Sequence, residues 1–495
     1  MSTDAVVVVG AGPTGLVLAC ALSAQGVPVR LLDAASGPAT TSRALGLQPR
    51  GVKVLDRLGA LGDLPTRSLP VNRVHVSVSG RPLARLAIGQ QTRLDGRPGL
   101  LVSQTEIEAE LRHRLMALGV EVEWGRRVTA LTQDPDRVTL RLEDGATLQV
   151  PWLAGCDGAH SAVRKAAGIA FPGVPLVERF FLADARLTLA CPRDAVSVWL
   201  RGEAMLAAFP LPGADLWRLM APGNPQQGGA ADEAAIVRRL GARLHEETGR
   251  QLSDALWTSS FQIHRRLADR YRSGRVLLAG DAAHVHSPLG GQGMNTGMGD
   301  AENLAWKLGL VCAGLAQDRL LDSYEAERRP IATEVLKATS GATGVMFGSG
   351  RWARIVRDRV VVPLFNQPLV QRRIAETSSQ LLVSYRRGPL GAGRASMRRP
   401  CAGDRVKDLR GTTATGPSRL YELLRGGWVL AAPAGHPAAQ AAERRLGHRI
   451  QHLVVEQGEA LLVRPDAHLA WRGDDPDRLE RCLDHVAGLL PDGVS

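Results

Sequence analysis

Apolar residues fill positions Ala5–Val9, a helical stretch runs from about Thr14 to Gln25, and Val29–Asp33 forms a second buried run that ends at the Ser36-Gly37-Pro38 turn. Strand, tight turn, helix and strand within about 30 residues make a βαβ unit, whose two strands pair in parallel. Helices are predicted at Pro49–Leu58 and Thr105–Leu118. Ser103, with Glu106 three residues on, supplies the second with a capping box. Val120–Trp124, Val128–Gln133, Val138–Leu142 and Thr147–Leu153 read as strands.

From Phe171 to Ile263 the pattern changes. Segments such as Ala195–Leu200, Met205–Pro210 and Asp215–Met220 predict an antiparallel sheet, followed by a helix near Ala231–Glu247. Val276–Ala279 returns to a buried strand and Met294–Cys312 to a helix. Tyr324 to about Tyr385 reads as helical, with breaks at Gly348–Gly350 and Pro363. A Gly/Arg/Pro-rich linker, Pro389–Gly403, leads into strands Trp428–Ala431, Ile450–Val455 and Ala460–Val463 and helices Ala438–Leu446 and Asp477–Leu490. The expected division is a discontinuous unit of residues 1–170 and 264–390, an inserted unit of 171–263 and a terminal unit of 391–495.

Composition narrows the classes. With 495 residues, 44% hydrophobic and 22% charged, the chain is neither disordered nor a multi-span membrane protein. No other window offers about 18 uninterrupted apolar residues. Ala5–Ala24 imitates a signal peptide, but Asp4 stands where a basic region belongs and glycines interrupt it, so a cytoplasmic protein is expected. The net charge is +12, and 56 of the 61 basic residues are Arg, spread without a basic run. That pattern points to a coding bias, and after it to a positive field for anionic small molecules, rather than to nucleic acid. Six scattered cysteines without C-x-x-C, and no H-E-x-x-H, leave no metal site and no disulfide framework.

Gly10-Ala11-Gly12-Pro13-Thr14-Gly15 is G-x-G-x-x-G between a strand and a helix. Gly10 permits the tight turn, Gly12 lets a pyrophosphate approach the backbone, and Gly15 lets the helix pack close. Asp33, 18 residues beyond Gly15, ends the next strand, where a carboxylate can accept bonds from an adenosine ribose. A second motif, Cys156-Asp157-Gly158 through Arg164, follows a buried strand and opens a helix. In a third, a strand ends at Gly280-Asp281, and a loop runs through Pro288 to Gly290-Gly291-Gln292-Gly293-Met294-Asn295. Asp281 is placed to hold a ribityl hydroxyl. The N–H groups from Gly293 to Asn295 open a helix whose dipole favours negative charge on a reduced isoalloxazine.

This triple constellation resembles the para-hydroxybenzoate hydroxylase family of FAD-dependent aromatic monooxygenases, over nearly the whole chain. Closest in character are three-domain actinobacterial members acting on polyketides and rifamycins. The resemblance implies an α/β fold: a Rossmann-like FAD-binding domain, an inserted antiparallel β-sheet substrate domain and a C-terminal thioredoxin-like domain. Val463-Arg464-Pro465-Asp466 and Ala470-Trp471-Arg472 fit that last domain, which lacks C-x-x-C and so serves packing or an oligomer contact. Arg43 to Arg50 resembles the family's flavin-side segment, and Gln104 stands where the family places a flavin-contacting glutamine. Thr14, Val128, Gly291 and Met294 are likewise implied cofactor contacts. Asp157 and Arg164 are expected to serve FAD and the transient NAD(P)H pyrophosphate. Arg43 and Pro288 are the implied catalytic positions, on loops expected to move with the flavin. Asp33 departs from the family's more frequent Glu.

The implied activity uses NADPH or NADH to reduce FAD. O₂ then forms a flavin C4a-hydroperoxide, which hydroxylates a bulky aromatic substrate of the polyketide or antibiotic kind. Baeyer–Villiger insertion, epoxidation, halogenation, isoprenoid reduction and non-catalytic drug binding are the competing readings. The absence of W-x-W-x-I-P disfavours halogenation. A monomer or homodimer is expected. His284 and His286 are read as structural rather than acid–base groups, and His264 and Arg265 as junction residues. Trp199 and Trp217 either stack on substrate or pack in the core.

Overall fold

The computed structural model describes residues 4–42, 44–88, 98–202, 204–223, 232–285, 291–347, 355–393 and 400–488. Its centre is a six-stranded sheet in the order Arg272–Ser273, Val276–Leu278, Leu153–Gly155, Val6–Val9, Val29–Leu32, Val122–Glu123. All neighbours pair in parallel except the Arg272–Ser273 edge. Val6–Val9 is buried on both faces, as an unbroken β-branched run requires. The helix Pro13–Ala24 packs on this sheet and against the long helix Gly293–Cys312.

The Thr147–Leu153 run is two strands, not one. Thr147–Val150 closes a small antiparallel sheet with Val138–Leu142, whereas Leu153–Gly155 enters the central sheet. Pro151, which cannot donate to a ladder, stands at the division. The helical region does break beside Pro363: the three-residue helix Val362–Leu364 that carries it continues a π-helical turn at Arg357–Val361 and ends in a turn before the helix Pro368–Ser379 begins. The break expected at Gly348–Gly350 lies outside the described residues.

Beside the central sheet stands an eight-stranded sheet. Gly173–Arg186, Leu216–Pro222, Ala204–Pro210, Ala195–Arg201 and Ala255–Leu267 form its body. Three further strands, Arg73–Val78, Arg81–Ala87 and His284–Val285, come from outside 171–263; the first pairs in parallel with Ala195–Arg201 and the last pairs with Ala255–Leu267. Strand alternation separates its faces. Phe181, Ala183, Leu206, Trp217 and Leu219 pack under the helix Glu233–Thr248. Leu182, Met205, Ala207, Arg218 and Met220 face the opposite way and line a cavity. Trp199 and Trp217 both belong to the helix-covered core, so they pack there and do not reach the cavity.

The chain closes on a six-stranded sheet around Trp428–Ala432, flanked by helices Ala438–Leu446 and Pro476–Val486. Trp428 meets Trp306 of the long helix edge-on, with ring centroids 5.2 Å apart, so one apolar core spans the terminal unit and the long helix.

Candidate functional site

The three sequence motifs converge. Gly10 has φ +104°, and a Cβ there would lie 2.4 Å from the Cys156 carbonyl oxygen, so only glycine lets the first loop lie against the second motif. A Cβ at Gly15 would lie 1.9 Å from the Gly10 carbonyl oxygen. At Gly12, by contrast, a Cβ would meet nothing within 4 Å, which leaves that backbone open. Thr14 joins the third motif: its Oγ1 would lie 2.5 Å from a Cβ on Gly280 and 2.4 Å from one on Gly297.

Two helices start at this junction, and neither carries a side-chain cap. Pro13–Ala24 begins at Gly12, and Gly293–Cys312 at Gln292, with no acidic residue in either first turn. Elsewhere Ser103, Ser161, Asp232 and Asp475 cap their helices. Uncapped N-termini keep free N–H groups and the positive end of the helix dipole, which suits anionic groups. Gly12, Thr14, Gln104, Asp281, Gly291, Gly293 and Met294 all line one cavity of about 590 Å³. Its other half is the apolar face of the eight-stranded sheet, with Val198, Met220 and Phe261. These donors and this open backbone fit a flavin dinucleotide.

Several expected contacts are already engaged within the chain. Asp33 accepts from the Ala11 amide at 2.6 Å and the Ala35 amide at 2.8 Å, so it braces the glycine loop and retains only its remaining lone pairs for a ribose. Asp157 accepts from Ser161 Oγ and from the amides of Ala162, 2.7 Å, and Val163, 3.1 Å. Arg164 is not brought to the cavity. It is buried, donates to the carbonyls of Ala282 at 2.9 Å and Ala159 at 3.0 Å, and lies over the Phe171 ring. Val128 is a core residue of its strand and does not line the cavity. Asn295 is buried behind the loop: its Oδ1 accepts from the Gln48 amide at 2.9 Å and its Nδ2 donates to Gly291 O at 2.9 Å. Arg43, His286 and Pro288 lie outside the described residues.

Asp281 is accessible from the cavity yet surrounded by protein. That desolvation raises its carboxyl from the ordinary value, with His284 opposing and Asp300 adding to the rise. Behind it is a cluster that the motifs did not announce. Asp300 Oδ2 lies 2.6 Å from His284 Nε2 and accepts from the Gly280 amide at 3.1 Å, while Oδ1 accepts from Arg328 Nε at 2.7 Å. Arg328 also donates to Thr296 O at 3.0 Å, in the first turn of the long helix. Asp300 and Arg328 therefore fix both loops of the third motif, and His284 is structural. Arg218 was also missed. It is a charged side chain on the sheet half of the cavity, held by Asp184 at 2.7 and 2.8 Å. An arginine inside an otherwise apolar strand, Leu216–Pro222, was the available signal.

A parallel sheet whose glycine loops and uncapped helices open on one cavity defines a dinucleotide-binding flavoprotein fold. The model of the FAD binding domain family matches residues 3–339, and that of the aromatic-ring hydroxylase C-terminal family matches residues 399–489. The chain is 36% identical to rifampicin monooxygenase of Streptomyces venezuelae, covering 96% of each chain. It is 35% identical to 6-methylpretetramide 4-monooxygenase of Streptomyces rimosus, covering 94% of this chain and 90% of that one. The solved structure of the anhydrotetracycline hydroxylase OxyS from Streptomyces rimosus superposes with a TM-score of 0.82 at 34% identity, over 100% of both chains. The chain belongs to the FAD-binding aromatic-ring hydroxylase family, and it is a flavoprotein monooxygenase. NAD(P)H is the general reductant of that family.

Proposed function

We propose that this enzyme hydroxylates a bulky, polycyclic aromatic small molecule of the polyketide or antibiotic kind, using FAD, NADPH or NADH, and O₂. The observation that carries this reading is the single cavity that joins the glycine loops to the apolar face of the eight-stranded sheet. Bound FAD supplies the redox and oxygen-transfer chemistry. Gly12, Thr14 and the helix behind them receive the pyrophosphate, with Gly10 and Gly15 shaping the turn and Asp33 at the ribose. Asp281 holds the ribityl chain, and Gln104, Gly291, Gly293 and Met294 border the ring system. Asp157 and Arg164 act by supporting the second motif. The roles of Arg43 and Pro288 as flavin-side loop residues remain part of the proposal. The apolar wall excludes water, and Arg218 offers a cation to an oxygen-rich edge of the substrate. The division 1–170 with 264–390, 171–263 and 391–495, a cytoplasmic location, and a monomeric or homodimeric state complete the reading. Among the described residues no helix is long and apolar enough to cross a membrane.

The test is an aromatic panel with the purified yellow enzyme. NADPH consumption should rise at least tenfold with a true ligand, and the product should gain one oxygen atom by mass spectrometry. A preparation unable to take up FAD, or one that never couples NADPH oxidation to any polycyclic aromatic, overturns the proposal.

A further inference from the structure

Three arginines are buried where the helix Pro49–Leu58, the long helix Gly293–Cys312 and the terminal unit meet. Arg50 is 0% exposed, Arg57 2% and Arg405 6%. All three guanidinium nitrogens of Arg50, all three of Arg405, and Nε and Nη1 of Arg57 are without a hydrogen-bond partner among the described residues. Lys53, on the same helix, adds a fourth positive charge over the Tyr421 ring, 5.5 Å from its centroid. Glu302 is the only carboxylate ion-paired to them among the described residues. It contacts Arg57 closely and reaches Arg50 at 3.8 Å.

Other nearby anions are committed. Asp466 is held by Arg464, Asp300 by Arg328, and Asp408 by Arg419 at 2.9 Å. Tyr421 donates its hydroxyl proton to Val406 O at 2.9 Å; burial raises this phenol, but Arg405, Lys53 and Arg57 beside it bring it below the ordinary value. Gly299 lets the long helix lie close against these side chains: a Cβ there would crowd Arg50 Nε at 3.4 Å and Arg328 Nη2 at 3.1 Å. Burial and mutual repulsion lower Arg57 to about 9 and Arg50 to about 10, which leaves both cationic at neutral pH. Four buried cations share Glu302, while Asp466 and Asp408 act on them but are already held by Arg464 and Arg419. Such a set needs a counter-ion, because a desolvated cation without an acceptor is costly.

We propose that a small monovalent anion of the halide class sits among the guanidinium groups of Arg50, Arg57 and Arg405, as a structural counter-ion between the terminal unit and the cofactor-bearing helices. This site is distinct from the cavity, and the proposal does not rest on the substrate reading.

The full-length holoenzyme is unfolded thermally in sodium chloride and in sodium gluconate at matched ionic strength, and crystals are soaked in bromide. The expected result is a Tm rising by about 1–2 °C per tenfold chloride above the dissociation constant, absent in gluconate. A bromide anomalous peak should lie within contact of the three guanidinium groups. Arg405→Gln should remove the chloride-dependent part of the rise. Should that variant not fold, Glu302→Gln decides, since deleting the internal anion should steepen the chloride dependence. Equal Tm in both salts with only water at the site overturns the proposal. So does tyrosinate absorption near neutral pH that Tyr421→Phe abolishes, because the counter-charge would then be internal.

Discussion

Two groups of buried ions lie one helix apart and solve burial differently. On the helix Asp322–Phe347, Glu327 accepts from Arg464 at 2.8 and 2.9 Å, from Lys307 at 2.8 Å and from Asn303 at 2.7 Å. Its neighbour Arg328 spends its guanidinium on Asp300, Thr296 O and the Tyr385 hydroxyl. Across the long helix, Arg50, Arg57 and Arg405 have no such set of acceptors. The electrostatics divide accordingly. Glu327 is held down to about 2 by Arg464 and Lys307 against its desolvation, and Arg328 and Arg464 are pushed up. Arg50 and Arg57 go down, because burial there is opposed by too little negative charge. Lys307 also falls, to about 8, although it touches Glu327. Burial outweighs a carboxylate it must share, which makes Arg464 the principal partner. Depth alone therefore does not set the behaviour of a buried charge; the number of acceptors it can keep does.

The largest break in this contrast should come from Asp300→Asn. It turns Arg328 into an uncompensated cation and weakens the acceptor of the Gly280 amide. A loss of about 3–5 kcal/mol is expected in chemical denaturation, together with weakened flavin retention. Arg464→Met leaves Lys307 and Asn303 on Glu327 but strips Asp466 of its cation, and should cost about 3 kcal/mol; flavin affinity should change little, which equilibrium dialysis would check. A smaller effect is set by acid. The Glu327 carboxyl lies below its ordinary value when folded, so its contribution is complete above about pH 4.5 and disappears as pH falls through about 2. Arg464→Met should therefore flatten the acid limb of a stability profile. A titration of the same span belongs to His468, buried and lowered to about 4 chiefly by desolvation. The unfolded chain takes up that proton first, so stability falls as pH drops from about 6.5 to 4. His468→Gln should remove that slope while leaving the profile above pH 7 unchanged.

Short-range chemistry was well marked in the chain. The Pro49–Leu58, Ala438–Leu446 and Val128–Gln133 elements appear with the boundaries their patterns indicated. The three glycine-bearing motifs announced their own junction, because Gly10, Gly15 and Gly280 each lie where a Cβ would strike a neighbouring loop or helix, while Gly12 leaves its backbone open. Long-range pairing was not marked. Arg73–Val78 and Arg81–Ala87 carry a mixed, partly exposed pattern that gives no hint of a partner more than a hundred residues away. Asp300 and Arg328 lie on helices whose sequence shows two ordinary charged residues. Only the fold reveals that they meet at 2.7 Å beneath Gly280. The faces of the eight-stranded sheet were ambiguous for a similar reason: both faces are covered, so apolar residues fill odd and even positions alike, and Trp217 could not be told from Met220.

The parallel pairing of Arg73–Val78 with Ala195–Arg201 also has a meaning in time. A ribosome adds about 5–20 residues each second, so the early hairpin waits roughly 6–25 s for the strand that will cover it. The central strand Val6–Val9 waits too, since its second neighbour, Leu153–Gly155, is made long after Val29–Leu32. Synthesis of this chain thus passes through a stage in which two sheets hold open edges at once. Arg73 places charge on that waiting edge, and Arg81 and Arg85 charge the hairpin's outer strand, which stays an edge of the finished sheet, so both sides of the early hairpin resist pairing with another chain.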